Sequence, residues 1–468
     1  MSALATLRSS RILVETLAGA SRTNSALTCV SQKRWASQDK QPQLKTQSAQ
    51  GFKGKGKDQK KKKSRSNDIG TYLPLPVNQL SSPLFRTNYR SELKLPLYSP
   101  EALTDAAVGT AMQFPKSENE AMRAYGLPRQ LLLEFRILSK PCSVVRDVTL
   151  KAVNSLDAAS RKPSRDTRLV MTGPSGCGKS FTLLQAVEYA AHSNWIVLYI
   201  PRAIKLVNSS TTYSYDARTR SYVQPDASYE LLRRFLSVNG EALQSLKTQE
   251  EFVYGNQHVP SGSPLPNLIA VGTANTEFAP AVLSSLMVEL SRQSKYPVLL
   301  AVDDIQGFYR YSTYRDQHYH CIMAHHLAIP RMVLEYAGGK KSFPRGAIFG
   351  AESTGNTTFL MPLELREALG LPSFRPAGPY VARVPEFVEY AQGLQNFPVP
   401  PQLTVNEAAS IFEVWMEDQA LHSGEVKGEK GDLHSVPNDD VFMTKYCEAS
   451  GNARAFVWKA LLGTISTL

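Results

Sequence analysis

The run GPSGCGKS at residues 173–180 meets the spacing GxxxxGK[ST]. Gly173, Gly176 and Gly178 allow a tight turn and keep side chains out of the way, so that backbone amides can close on phosphate oxygens. Pro174, Ser175, Cys177 and Phe181 complete the expected nucleotide-binding stretch. Lys179 brings a positive charge to the β- and γ-phosphates, and the Ser180 hydroxyl suits Mg²⁺. A second requirement of such chemistry is a carboxylate at the end of a buried strand. YPVLLAVDDIQGFY (296–309) supplies Asp303 for the Mg²⁺ shell, with Ser180, and Asp304 as the candidate general base. Asp304 is one methylene shorter than the Glu that often orients the attacking water.

These residues need a strand before the loop and a helix after it, whose N-terminal dipole favours an anion. RLVMT (168–172) is a β-prone apolar run, and SFTLLQAVEYAAHS (180–193) spaces Leu183, Val187 and Ala190 as one helix face. NWIVLYIP (194–201) predicts a further parallel strand and hence a βαβ unit. RGAIFGAESTGN (345–356) predicts another strand, with Ser353 and Thr354 at its exit in a position either to touch a γ-phosphate or to serve as ordinary loop polarity. The expected fold is three-layer α/β over 141–370 with a smaller helical C-terminal part at 371–468.

The net charge of +12 is concentrated at one end. Residues 1–70 hold 15 Lys and Arg against 4 Asp and Glu, leaving 38 against 37 in the rest, so the body is nearly neutral. A basic body that binds nucleic acid by charge alone is thereby excluded. The longest apolar runs, WIVLYI and PVLLAV, are far shorter than the roughly 20 residues of a membrane span. The five cysteines are scattered without a CxxC pair, which excludes a zinc ribbon and a disulfide framework. Residues 1–35 are rich in Ser, Thr, Ala and Arg with Glu15 the only acid, the composition of a mitochondrial presequence. Residues 36–70 contain GFKGKGKDQKKKKSR (51–65) and read as a disordered basic linker, either solvated or threaded against phosphates. The stretch 71–140 begins as an extended Pro-rich arm and ends in a lead-in helix.

Together the phosphate-loop sequence, the strand ending in Asp303 and Asp304, the polar-tipped strand and ASGNARAFVWK (449–459) resemble the AAA+ and STAND group of P-loop NTPases. The resemblance implies that Gly-Asn-x-Arg opens a lid helix near the nucleotide, with Arg454 as its arginine. The chain is also similar to the mitochondrial small-ribosomal-subunit GTP-binding family of death-associated protein three, through VVR (144–146), WIVLYIP (195–201) and the helix HHLAIPRMVLEYAGG (325–339). That similarity implies a structural component of the mitoribosome small subunit in the mitochondrial matrix. It also implies GTP or GDP with Mg²⁺, contacts with small-subunit rRNA and other mitochondrial ribosomal proteins, and no homo-oligomer. ATP is the alternative nucleotide, since the [NT]KxD element that reads guanine in Ras-like GTPases is absent. The rival function is a cycling AAA+ or STAND-type ATPase that remodels protein or nucleic acid.

YRDQHYHCIMAHH (314–326) gathers His318, His320, Cys321, His325 and His326. The spacings match no zinc framework, and a helix after the Asp303 strand would show several of them to solvent or RNA. Phe308, Tyr309, Arg310, Tyr311, Tyr314 and Arg315 mix types that stack on unpaired bases, with core packing the commoner use. N-terminal sequencing of protein isolated from mitochondria is expected to start near residues 34–37; a start near Met1 refutes the presequence.

Overall fold

The computed structural model describes residues 93–465 except 116, 118–119, 373–376 and 419–438. The presequence, the lysine-rich stretch, the arm up to residue 92 and most of the polar loop at 421–440 lie outside the described residues. The lead-in consists of β1 (Ala111–Gln113), α1 (Ala121–Tyr125), α2 (Arg129–Ile137) and β2 (Cys142–Val144), with β1 and β2 antiparallel. Next come α3 (Asp147–Ala159), β3 (Arg168–Thr172), α4 (Lys179–His192) and β4 (Ile196–Ile200). Two hairpins, β5–β6 (Ser214–Asp216, Ser221–Val223) and β7–β8 (Phe252–Tyr254, Gln257–Val259), flank the 20-residue α5 (Pro225–Gln244). They are followed by α6 (Leu265–Ala274), α7 (Ala279–Arg292) and β9 (Val298–Asp303).

A third hairpin, β10–β11 (Tyr311–Arg315, Cys321–Met323), leads to α8 (Ala328–Ala337) and β12 (Gly346–Ala351). The helix expected directly after the Asp303 strand is thus replaced, over 311–323, by this hairpin. The physical reason is a period of two: Ser312 and Tyr314 are buried while Tyr311, Thr313 and Arg315 face out. The chain closes with α9 (Leu363–Ala368), α10 (Pro385–Ala391), β13 (Gln395–Pro398), α11 (Val405–Glu417), α12 (Asp439–Glu448) and α13 (Ala453–Ala455). A π-helical stretch, Phe456–Leu461, then runs into α14 (Leu462–Ile465).

Five parallel strands form the central sheet, in the order β13-β3-β12-β9-β4. Every residue of β3, β4, β9 and β12 is buried, as expected for near-continuous apolar strands covered by helices. The β3-α4-β4 unit exists, but β12 and β9 lie between its two strands. One edge of the sheet is β13, which lies beyond the 141–370 stretch expected to hold the whole sheet. Its Gln395–Pro398 backbone pairs with β3 from Leu169 to Thr172.

The other edge, β4, is capped by side chains rather than by a strand. Asn239 of α5 accepts the Val197 N–H at 2.7 Å and donates to Val197 O at 2.9 Å, while the Tyr125 hydroxyl donates to the same carbonyl at 2.6 Å. This covers an edge that would otherwise expose unpaired backbone groups. A second, smaller core gathers Leu403, Phe412, Trp415, Met416, Phe442, Phe456 and Leu461 against Leu93, Leu138 and Cys142. No helix among the described residues is long and apolar enough to cross a membrane. Asn239→Ala is expected to cost about 1–3 kcal/mol in urea unfolding, because the buried Val197 N–H loses its partner.

Candidate functional site

The loop between β3 and α4 holds its glycines where L side chains are disfavoured: Gly173 at φ 150°, Gly176 at 81° and Gly178 at 104°. Space is as restrictive as conformation. A Cβ on Gly173 would sit 2.9 Å from Val399 O, and one on Gly176 would run into Asn452 Oδ1 and lie 2.9 Å from Arg454 Cβ. The loop is therefore pinned from outside by the residue after β13 and by the start of α13.

Four hydrogen bonds to the loop, from Arg146, Asn452 and Arg454, complete that grip. Arg146, the N-cap of α3, donates through Nη1 to Cys177 O at 2.8 Å and through Nη2 to Gln402 O at 3.1 Å. Its Nε lies 3.2 Å from Glu407 Oε2, an ion pair whose members are both buried. Glu407 also accepts the Thr404 N–H at 3.0 Å, in the capping box of α11. From the start of α13, Asn452 Nδ2 donates to Ser175 O at 2.8 Å and the Arg454 N–H to Gly176 O at 3.0 Å. Arg454 Nη1 reaches Ser175 Oγ at 3.4 Å. Asn452 also caps α13 by accepting the Ala455 N–H.

Inside this frame Lys179 is buried and its ammonium turns back on the loop, donating to Gly173 O at 2.5 Å and Pro174 O at 2.9 Å. Ser180 Oγ donates to Asp303 Oδ1 at 3.0 Å, which also accepts the Asp304 N–H at 3.0 Å. Ser180 and the carboxylate at the end of β9 are thus brought together across 123 positions of sequence. Phe181 turns its ring toward Phe135, edge-on at 5.9 Å. Cys177 is buried, so main-chain groups are what these two residues offer a ligand.

Asp304 takes a left-handed backbone, φ 61°, and the neighbouring Ser353 side chain acts to lower its carboxyl pKa against the effect of burial. Gln306 fixes that serine, donating to its carbonyl at 2.8 Å and accepting its N–H at 3.1 Å. Thr354 is exposed. Burial, and then the neighbouring Asp304, hold the Asp303 carboxyl well above the usual range; burial likewise raises Asp304 and Glu352, the latter opposed by Lys179. Asp303 and Glu352 thus both feel the Lys179 charge, with Asp304 next to Asp303, an arrangement suited to a divalent cation.

The other candidates are distributed differently. Phe308, Tyr309 and Tyr314 are fully buried, whereas Tyr311 is exposed. His318, His320, Cys321, His325 and His326 form no metal-ligating cluster among the described residues. The His325 and His326 rings lie 4.2 Å apart, tilted by 47°, and burial pulls the His325 pKa down to about 4. Arg146, Glu407, Asn452 and Glu352 were not identified as site residues from sequence. Of these, Arg146 lies in VVR, Asn452 in GNAR and Glu352 in the strand 345–356, while Glu407 falls in no stretch singled out there.

A sequence model of the family described as mitochondrial ribosomal death-associated protein 3 matches residues 143–457. The chain belongs to this family. Among curated proteins it is similar to the small ribosomal subunit protein mS29 of Neurospora crassa, 27% identical over 66% of this chain and 67% of that protein. It is likewise similar to mS29 of Schizosaccharomyces pombe, 26% identical over 74% of the chain and 70% of that protein, and of Mus musculus, 23% over 69% and 80%. The family's place is the mitochondrial ribosome, and that is the location of this chain. The matched span begins next to Arg146 and ends just past Arg454, the two residues that flank the loop.

A folded-state pKa raised above the unfolded value of 3.8 means that Asp303 lowers stability as pH rises through that folded value. Asp303→Asn keeps both accepted hydrogen bonds and removes the charge. The ligand-free variant is expected to melt about 2–4 °C above wild type at neutral pH, with the gap closing near the unfolded carboxylate range.

Proposed function

We propose that the chain is a structural component of the mitochondrial small ribosomal subunit that holds a guanine nucleotide with Mg²⁺ at the 173–180 loop. The chain's family and its similarity to mS29 proteins support the ribosomal part and favour it over a remodelling ATPase. The observation that carries the nucleotide part is the junction of Ser180 Oγ with Asp303 Oδ1 beside a buried Lys179. A buried lysine whose donors are spent on two loop carbonyls can exchange them for phosphate oxygens without leaving the loop. The amides of 176–181 would bind phosphate, Ser180 and Asp303 would hold Mg²⁺, and Arg454 would lie at the lid edge. GTP or GDP is assigned by family resemblance, with ATP the alternative.

Holding requires no turnover. A ligand at about 1,000 times its dissociation constant adds roughly 4 kcal/mol to the native state. Asp304 is the candidate general base, one methylene shorter than the Glu that often serves, and slow hydrolysis at most is proposed. The basic N-terminal arm would supply rRNA contacts and the body would face neighbouring ribosomal proteins.

Acid denaturation of the native full chain, followed by chromatography of what is released, tests this reading. The expected result is about one guanosine di- or triphosphate per chain, lost at least tenfold in Lys179→Ala. Wild-type protein that releases adenine nucleotide refutes the base, and protein that releases nothing refutes the holding role.

A further inference from the structure

The far end of α4 carries a second group of side chains that the loop does not use. Glu188 is fully buried, Glu120 is 8% exposed, and the His192 side chain, one turn beyond Glu188, is 30% exposed. Their ligand atoms all lie within 4.8 Å of one another, and no other such trio of His, Cys, Asp or Glu occurs among the described residues. Glu120 immediately precedes α1, and the Met122 N–H of that helix donates to Glu188 Oε1 at 2.6 Å. The second oxygen, Oε2, is buried without a hydrogen-bond partner and faces His192 Nε2 at 4.0 Å. His192 Nε2 is 3.0 Å from Glu120 Oε2.

We propose that Glu188, Glu120 and His192 bind one divalent transition-metal ion, with Zn²⁺ the best match, and so fasten α1 to the back of the phosphate-loop helix. Two buried carboxylates side by side repel each other and are desolvated, and one dication balances both. Zinc takes carboxylate oxygen at about 2.0–2.2 Å and imidazole nitrogen at about 2.0–2.1 Å in a tetrahedron, which sets ligand atoms about 3.4 Å apart. The 3.0 and 4.0 Å separations bracket that value. Water completes the shell on the open side, beside His192. An imidazole among so few oxygens disfavours Mg²⁺ and Ca²⁺, which prefer six or more oxygen ligands. The elevated Glu188 pKa, caused by burial and then by Glu120, is what such a pair shows before a cation arrives.

The test uses the full chain stripped by chelator and titrated with Zn²⁺ under excess Mg²⁺, which occupies any Mg²⁺ site at Ser180 and Asp303. One equivalent is expected to bind at micromolar or tighter affinity. The zinc absorption spectrum is expected to show only nitrogen and oxygen neighbours. His192→Gln and Glu188→Gln are each expected to weaken uptake at least tenfold, while Asp303→Asn leaves it unchanged. His192 is partly exposed, so its substitution reports on binding even if Glu188→Gln fails to fold. Absence of uptake, uptake indifferent to His192→Gln, or sulfur in the zinc shell each overturns the proposal; absence of uptake would leave a proton shared by the two carboxylates.

Discussion

Backbone amides converge on a common point only if the loop that carries them is held from behind, because the inner surface must stay bare. The 173–180 loop of this molecule is held from behind. Glycine makes 173–178 permissive, and permissiveness alone gives a floppy turn. Rigidity is imported through Arg146 on Cys177 O, Val399 against Gly173, and Asn452 with Arg454 against Ser175 and Gly176. Each comes from a different element, which is why the start of α3 and the C-terminal unit are integral to the site.

The Arg146–Glu407 pair shows the energetic side of that arrangement. A buried ion pair gains little net stability over an apolar pair of the same shape, whereas breaking one side costs several kcal/mol. Here the two charges are used to specify geometry. Glu407 serves the α11 capping box and the guanidinium at once, and the guanidinium serves Glu407, the loop and Gln402 O. Three elements are registered to one another by a single planar fork of donors.

How far this was legible in the sequence depends on locality. The 173–180 loop with its flanking β3 and α4, and Asp303 at the end of β9, are written in contiguous patterns of period and spacing, and the structure has that strand, turn and helix. The insertion of β12 between β3 and β9 is a long-range pairing that no local pattern encodes. The recruitment of Gln395–Pro398 as an edge strand is hidden for the same reason: only its third residue, Phe397, is even half-buried. The β10–β11 hairpin was misread because five alternating residues rich in tyrosine and arginine give a weak periodic signal beside a cluster of histidines. The clamp residues escaped because a polar side chain's partner depends on tertiary placement, so Asn452 and Glu407 look alike from sequence whether they grip a loop or face water.

Asn452 caps α13 with one end of its amide and holds Ser175 with the other. Two equilibria therefore share one side chain. Whatever steadies the C-terminal helices steadies the loop, and by thermodynamic reciprocity a filled loop strengthens any grip on those helices by the same factor. Under the proposed function the amide is the latch through which a docked neighbour and a bound nucleotide would sense each other without touching.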